Sequence, residues 1–335
     1  MAKHSYTYSN IFNLENGGSL PQLEVTYHTY GELNSEKSNV VWFCHALTAN
    51  SDVMDWWDSL VRIGKTYDPS RYFIVCANIL GSCYGSSGPL SINPRTGSPY
   101  FSTFPQVTIR DMVKGHILLR KHLSIENIHT IVGGSMGGYQ ALEWIITEPA
   151  VFKKLVLVAT SPQESAWGIA VHTAQRLAIE ADPTWKDPHE KAGAKGLKAA
   201  RAIGMLTYRT YDAFVKTQTD SEHKIDNFKA SSYINYQGDK LVNRFNAYSY
   251  RILGKAMDSH NIARGRGKME DVLKSIKTKT IIIGISSDQL CPVTEQQYMS
   301  RYIPDSTYIE IDSPYGHDGF LIEGKLIGEA ITSNS

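Results

Sequence analysis

The sequence predicts an α/β protein: a mostly parallel sheet covered by helices on both faces, with a helical lid inserted late in the chain. Three observations carry this. Short runs that are apolar along their whole length recur through the chain, as strands buried on both faces require. A strand, a glycine-rich turn and an amphipathic helix follow one another between His129 and Pro149. From about residue 161 to 276 the rhythm breaks, with helical stretches and turns but no convincing buried strand.

Taken in order, the expected strands are Leu23 to Tyr27, Val40 to Cys44, Tyr72 to Ala77, His129 to Val132, Lys154 to Ala159, Thr280 to Ile285 and Thr307 to Ile311. Functional residues of such a sheet belong on loops at the strands' carboxyl ends. The expected organisation is a core over 1–162, a helical lid over 163–275 and the rest of the core over 276–335. The charged stretch Asp182 to Lys198 reads as a solvated surface of the lid. No internal repeat or low-complexity segment stands out.

Composition narrows the class of function. Lysine and arginine number 34 against 33 aspartates and glutamates, a net charge of +1, so the totals imply no basic face for nucleic acid. The chain has no signal-peptide core near its start and no apolar run of membrane-spanning length, so a cytoplasmic enzyme is expected. Cys44, Cys76, Cys83 and Cys291 are scattered without metal-site spacing and read as reduced thiols, with Cys44 and Cys76 as small core residues. No metal site and no permanently bound cofactor is expected.

The organising stretch is Ile131 to Trp144. Gly133 and Gly137 flank Ser135 in a G-x-S-x-G pattern between an apolar strand and a helix on which Ala141, Leu142, Ile145 and Ile146 share a face. A sharp turn there lifts the hydroxyl above the sheet, and the first helical N–H groups, that of Met136 included, point toward the same space and suit an oxyanion. Glycines alone would serve a tight packing turn, but such a turn gives no reason for the serine. A serine hydroxyl is a poor nucleophile, so a histidine base and an orienting carboxylate must follow. Asp288 lies just past the Thr280 to Ile285 strand, and His317 lies in the loop after the next strand. Asp312 and Asp305 compete for the acid's role, the first almost at its strand end and the second before its strand. The loop after Val40 to Cys44 is the expected source of a second oxyanion donor, the backbone N–H of Leu47, with His45 shaping that loop. Arg201 shares a helical stripe with Leu197 and Met205, so its charge needs a partner, a substrate carboxylate or a structural ion pair, unless the side chain snorkels to solvent. Asp318 can cap the helix that starts at Gly319.

These residues, in this order, resemble the homoserine O-acetyltransferases of the α/β-hydrolase fold. The likeness extends over most of the chain and rests on Phe43 to Thr48, Gly88 to Pro94, Phe104 to Val113, the Ser135 segment and Gly316 to Leu321. It implies Ser135 as nucleophile with Asp288 and His317 as partners, acetyl-CoA as co-substrate, L-homoserine as acceptor, and a homodimer. It also implies that Arg201, or Arg209 in its place, and Asp318 hold the amino acid. Related enzymes use succinyl-CoA or serine, and esterases share the architecture. The chain departs from the family pattern at Tyr139, where methionine is more usual, and at Phe101, where glycine is usual. Its lid and tail are also shorter than average.

Overall fold

The computed structural model describes residues 2–334. Eight strands form one sheet: β1 (Ala2–Tyr8), β2 (Leu23–Tyr30), β3 (Val40–Cys44), β4 (Phe73–Ala77), β5 (Thr130–Gly134), β6 (Lys154–Val158), β7 (Lys279–Ile285) and β8 (Ser306–Ile311). Their order is β1-β2-β4-β3-β5-β6-β7-β8. From β4 to β8 every pairing is parallel, whereas β2 runs antiparallel to both of its neighbours. The expected strands are present, with ends shifted by a few residues. The added one, β1, is an edge strand whose side chains are mostly exposed. It therefore lacks the apolar run by which a buried strand announces itself.

Alternation along the central strands divides the interior into two cores. Trp42 and Cys44 of β3 join Ile131, Leu155 and Leu157 on one face. Val41 and Phe43 join Val132, Val156 and Ile283 on the other. Because side chains of a strand point to opposite faces in turn, a strand covered on both sides must be apolar at every position, and β3 is buried throughout.

Among the described residues the main helices are α1 (Ile109–His122), α2 (Met136–Thr147), α3 (Ala166–Glu180), α4 (Ala194–Tyr208), α5 (Tyr211–Gln218), α6 (Lys229–Val242), α7 (Ala247–Asp258), α8 (Met269–Ser275), α9 (Val293–Tyr302) and α10 (Gly324–Ser333). Six of them, α3 to α8, fall between β6 and β7, and that interval contributes no strand to the sheet. None is long and apolar enough to cross a membrane.

The Phe104 to Val113 block sets the start of α1. Thr108 accepts from the Asp111 N–H, and the Asp111 carboxylate accepts from the Thr108 N–H, a reciprocal cap worth about 1 kcal/mol. Phe101 has φ of +46°, the left-handed region where glycine carries no penalty, which gives the usual glycine there a conformational reason. Here the phenyl ring stacks obliquely on Tyr248 of α7, at 5.4 Å between centroids.

Candidate active site

Ser135 sits where β5 turns into α2, with φ of 53° and ψ of −128°. A residue with a Cβ holds such a conformation only when its surroundings enforce it, at a cost of about 1–3 kcal/mol. Here the Ser135 N–H donates to the Val158 carbonyl, and the Ser135 carbonyl accepts from the Gly138 N–H and the Thr160 hydroxyl. The flanking glycines are steric necessities. A Cβ on Gly133 would lie 2.3 Å from the Gly137 carbonyl oxygen, and one on Gly137 would lie 2.0 Å from that of Cys44. The absent side chains let β3, β5 and α2 close around the turn.

The fold brings Ser135, Asp288 and His317 together. The Ser135 Oγ is 2.8 Å from His317 Nε2, and His317 Nδ1 is 2.7 Å from Asp288 Oδ2. Asp288 and His317 lie on the loops after β7 and β8, and both are buried. The other Asp288 oxygen accepts from the Leu290 and Cys291 N–H groups at 2.8 and 2.9 Å, so the carboxylate cannot rotate freely. The histidine loop is braced by the Ser287 hydroxyl, which accepts from the Gly316 N–H at 2.9 Å. Burial by itself depresses the His317 imidazole. The adjoining Asp288 carboxylate, through its charge and its hydrogen bond, outweighs this, and with Asp318 and Glu164 it holds the pKa above the ordinary value. Of the competing acids, Asp312 instead accepts from the Ser286 hydroxyl.

A cavity of about 610 Å³ opens above Ser135, lined among others by Leu47, Arg201, Tyr208, His317 and Asp318. Leu47 lies on the loop after β3. Met136 is the first residue of α2, and it is fully buried. His45 does not line the cavity. Its ring accepts from the Ile79 N–H, lies 2.8 Å from the Ala46 carbonyl through Nδ1, and is pushed by burial down to about 4, as suits a neutral residue that shapes the loop.

The two arginines part company. Arg201, between the buried Leu197 and Met205, reaches the cavity and lies 5.6 Å over the Tyr208 ring. Among the described residues no carboxylate pairs with it. Arg209 instead donates to Asp318 at 2.9 Å. Asp318 precedes the short helix Gly319–Ile322 but makes no side-chain cap there, its carboxylate being directed to Arg209.

Sequence reasoning did not reach several lining residues. Tyr208, last in α4, places its ring 5.8 Å from that of His317. Lys240 and Arg244 stand exposed at the rim. Arg244 donates to the Thr48 carbonyl and, at 2.6 Å, to the Tyr84 hydroxyl, bracing the loop that carries Leu47. His172 also faces the cavity. Its signal was faint: His172 and Arg176 are four residues apart on α3, a polar pair on one helical face. Tyr139 stacks on His260 at 3.9 Å and donates to Glu164 at 3.1 Å. Cys291 adds a thiol near the relay; with Asp288 and His317 it forms a trio whose ligand atoms lie within 4.8 Å of one another. A metal there would have to displace the proton between His317 and Asp288, and burial pushes the thiol up, away from the thiolate a metal needs.

A second groove of similar volume, about 600 Å³, lies at the amino ends of the strands beside Lys65, Arg71, His129 and Lys154. Neither Ser135 nor His317 reaches it.

Comparison with known proteins bears on the family and the fold. Residues 39–323 match the model of the alpha/beta hydrolase fold. The homoserine O-acetyltransferase of Cyclobacterium marinum is 48% identical over 323 residues, which cover 96% of this chain and 92% of that one. The crystal structure of homoserine O-acetyltransferase from Bacillus anthracis superimposes with a TM-score of 0.92 at 26% identity, covering 99% of this chain and 97% of the other. Esterase E22 superimposes with a TM-score of 0.90 at 25% identity and covers 99% of both chains.

Proposed function

The chain belongs to the homoserine O-acetyltransferases of the α/β-hydrolase fold, and on that premise we propose that it moves an acetyl group from acetyl-CoA through acyl-Ser135 to the hydroxyl of L-homoserine, a step toward methionine. The observation that carries this reading is the run of two short contacts, 2.8 Å from Ser135 to His317 and 2.7 Å from His317 to Asp288, opening on a cavity lined by a cation, Arg201, that has no carboxylate partner among the described residues.

In the first step His317 Nε2 takes the Ser135 proton as Oγ bonds to the thioester carbonyl carbon. The N–H groups of Met136 and Leu47 hold the oxyanion. The C–S bond breaks, the leaving sulfur takes the proton from His317, and the acetyl group stays on Ser135. In the second step the homoserine hydroxyl gives its proton to His317 and attacks the acyl carbon, and Ser135 leaves with that proton. Asp288 keeps Nδ1 protonated and stabilises the imidazolium formed in each step. Arg201 takes the acceptor's carboxylate, and Asp318, steadied by Arg209, takes its ammonium group. Lys240 and Arg244, exposed cations at the rim, suit the phosphates at the far end of CoA. The helical segment 163–275 acts as a lid that limits water at the acyl-serine. We also assign the enzyme to the cytoplasm, where free thiols and CoA belong, and to a homodimer, for which exposed apolar side chains on lid helices, Trp167, Leu177, Leu206 and Tyr211 among them, provide a surface.

Intact-mass measurement tests the central claim. Acetyl-CoA alone should add one acetyl group to the protein and none to Ser135→Ala, and L-homoserine should discharge it as O-acetylhomoserine. If only succinyl-CoA labels Ser135, the donor assignment changes. The likeness to esterase E22 favours one other reading, hydrolysis of simple esters. Acetate release at the same rate with and without amino acid would establish that reading and remove the transferase.

A further inference from the structure

His172 has its own carboxylate. On α3 its Nδ1 lies 2.9 Å from Asp258 Oδ1, while Arg176, one turn further along, holds the other oxygen of Asp258 at 2.7 Å. Two consequences follow from this geometry. The carboxylate accepts, so Nδ1 donates, and in the neutral ring Nε2 keeps a lone pair. Arg176 holds the second oxygen of Asp258, so the carboxylate that orients the ring is itself fixed.

The rest of the ring is buried, with 5% of the residue exposed, and it lines the same cavity as Ser135. Among the described residues Nε2 has no hydrogen-bond partner. Its neighbours on that wall include the apolar side chains of Met257 and Leu290. The nearby Glu164 carboxyl is pushed up by burial and receives the Tyr139 hydroxyl rather than His172. The ring is held at Nδ1 by Asp258, while Nε2 is not sealed away from the cavity that the residue lines. Nor is His172 a second base for Ser135, whose Oγ is already 2.8 Å from His317.

We propose that His172, held by Asp258 and Arg176, is a substrate-binding residue whose Nε2 accepts a hydrogen bond from a substrate N–H. Resting on the acyl-transfer reading, this assigns the N–H to one of two sources, the ammonium group of the amino-acid acceptor or an amide of the thioester donor's pantetheine arm. Arg201 then serves the acceptor's carboxylate from α4, and His172 supplies a contact from α3.

His172→Ala and His172→Gln test this, the glutamine offering an amide oxygen near the position of Nε2. Steady-state kinetics should show KM for L-homoserine or KM for acetyl-CoA rising about tenfold or more in His172→Ala, the loss of one hydrogen bond to a charged or strongly polar donor, with the affected substrate naming the source. His172→Gln should recover much of the loss. Acylation of Ser135 by p-nitrophenyl acetate, which has no N–H, should stay within twofold of wild type. Unchanged KM values for both substrates overturn the proposal, and so does an equal loss of p-nitrophenyl acetate acylation, which would mark a purely structural role. Should the wild-type protein transfer no acetyl group to homoserine, the acyl-transfer reading fails separately. Calorimetric binding of homoserine and of acetyl-CoA to Ser135→Ala, with and without His172→Ala, then decides the role of His172: weaker binding of either in the double variant supports it, and equal binding of both overturns it.

Discussion

Replacing Asp288 by asparagine isolates what the carboxylate contributes, because the structure dictates how the amide must sit. One Asp288 oxygen accepts from two backbone N–H groups, those of Leu290 and Cys291. An asparagine NH₂ placed there would leave both donors facing a donor, so its carbonyl oxygen takes that position and the NH₂ turns toward His317. Nδ1 of His317 must then accept rather than donate, and the ring proton moves to Nε2, facing Ser135 Oγ. In that tautomer the imidazole cannot take the serine proton. The cost of such a tautomer reversal in a serine–histidine–aspartate relay is about ten-thousandfold in kcat, or about 5 kcal/mol of barrier. Folding should survive, because both backbone donors keep their acceptor. Transfer of acetyl to homoserine should be followed by CoA release, with thermal melting as the fold control. A well-folded Asp288→Asn within tenfold of wild-type kcat would refute the forced-tautomer argument and with it the assignment of Asp288.

His317 must be neutral to act as a base, and its pKa lies above the ordinary 6.5. The acid limb of kcat/KM should therefore fall off as pH drops through a midpoint above 6.5, and a midpoint below that value in a pH–rate profile contradicts the electrostatic reading. Arg201→Ala should raise KM for homoserine by about ten- to a hundredfold, the loss of a charge-assisted contact of about 1.5–3 kcal/mol, while acylation by acetyl-CoA is nearly unchanged; a selective effect on acetyl-CoA would assign the arginine elsewhere. Lys240→Ala should raise KM for acetyl-CoA about two- to fivefold at low salt and less at high salt, with no change for a short acetyl thioester that lacks the nucleotide. Gly137→Ala places a methyl group 2.0 Å from the Cys44 carbonyl oxygen, backbone against backbone. It should lower stability by about 3 kcal/mol or prevent folding, as read by chemical denaturation.

What could be read from the sequence follows physical range. Strand β3 was legible to the residue because burial on both faces leaves an uninterrupted apolar run, whereas β1 escaped because its side chains are mostly exposed. Ser135, Asp288 and His317 could be chosen from chain order and from their places after strands, and the fold sets them within hydrogen-bond distance across 182 and 29 residues. A parallel sheet makes that possible, since it gathers the loops after its strands on one edge whatever their separation in sequence. The helical segment between β6 and β7 offers no such rule. Its key pairings, His172 with Asp258 over 86 residues and Arg209 with Asp318 over 109, depend on how helices pack against one another and on the core. Helical periodicity placed Arg201 on a stripe with Leu197 and Met205. It could not say that Arg209, eight residues on, would take the nearest carboxylate and leave Arg201 facing the cavity.

That division of carboxylates bears on transfer against hydrolysis. A Ser–His–Asp relay attacks an ester or a thioester alike, and the close superposition on esterase E22 shows how far one backbone serves proteins of different names. The distinction must then lie in what the cavity offers the second nucleophile. Water needs no fixed charge in the wall. An amino acid brings a carboxylate and an ammonium group, and both must leave bulk solvent, which is favourable only where opposite charges already wait. Arg201 is a partly buried cation stacked on Tyr208, with no carboxylate partner among the described residues, and Asp318 is an anion fixed beside the base by Arg209. Keeping Arg201 poised in this way lowers the stability of the empty protein, a cost that hydrolysis of a neutral ester gives no reason to bear. The charge arrangement of the cavity wall, more than the relay beside it, is therefore the physical argument for an amino-acid acceptor.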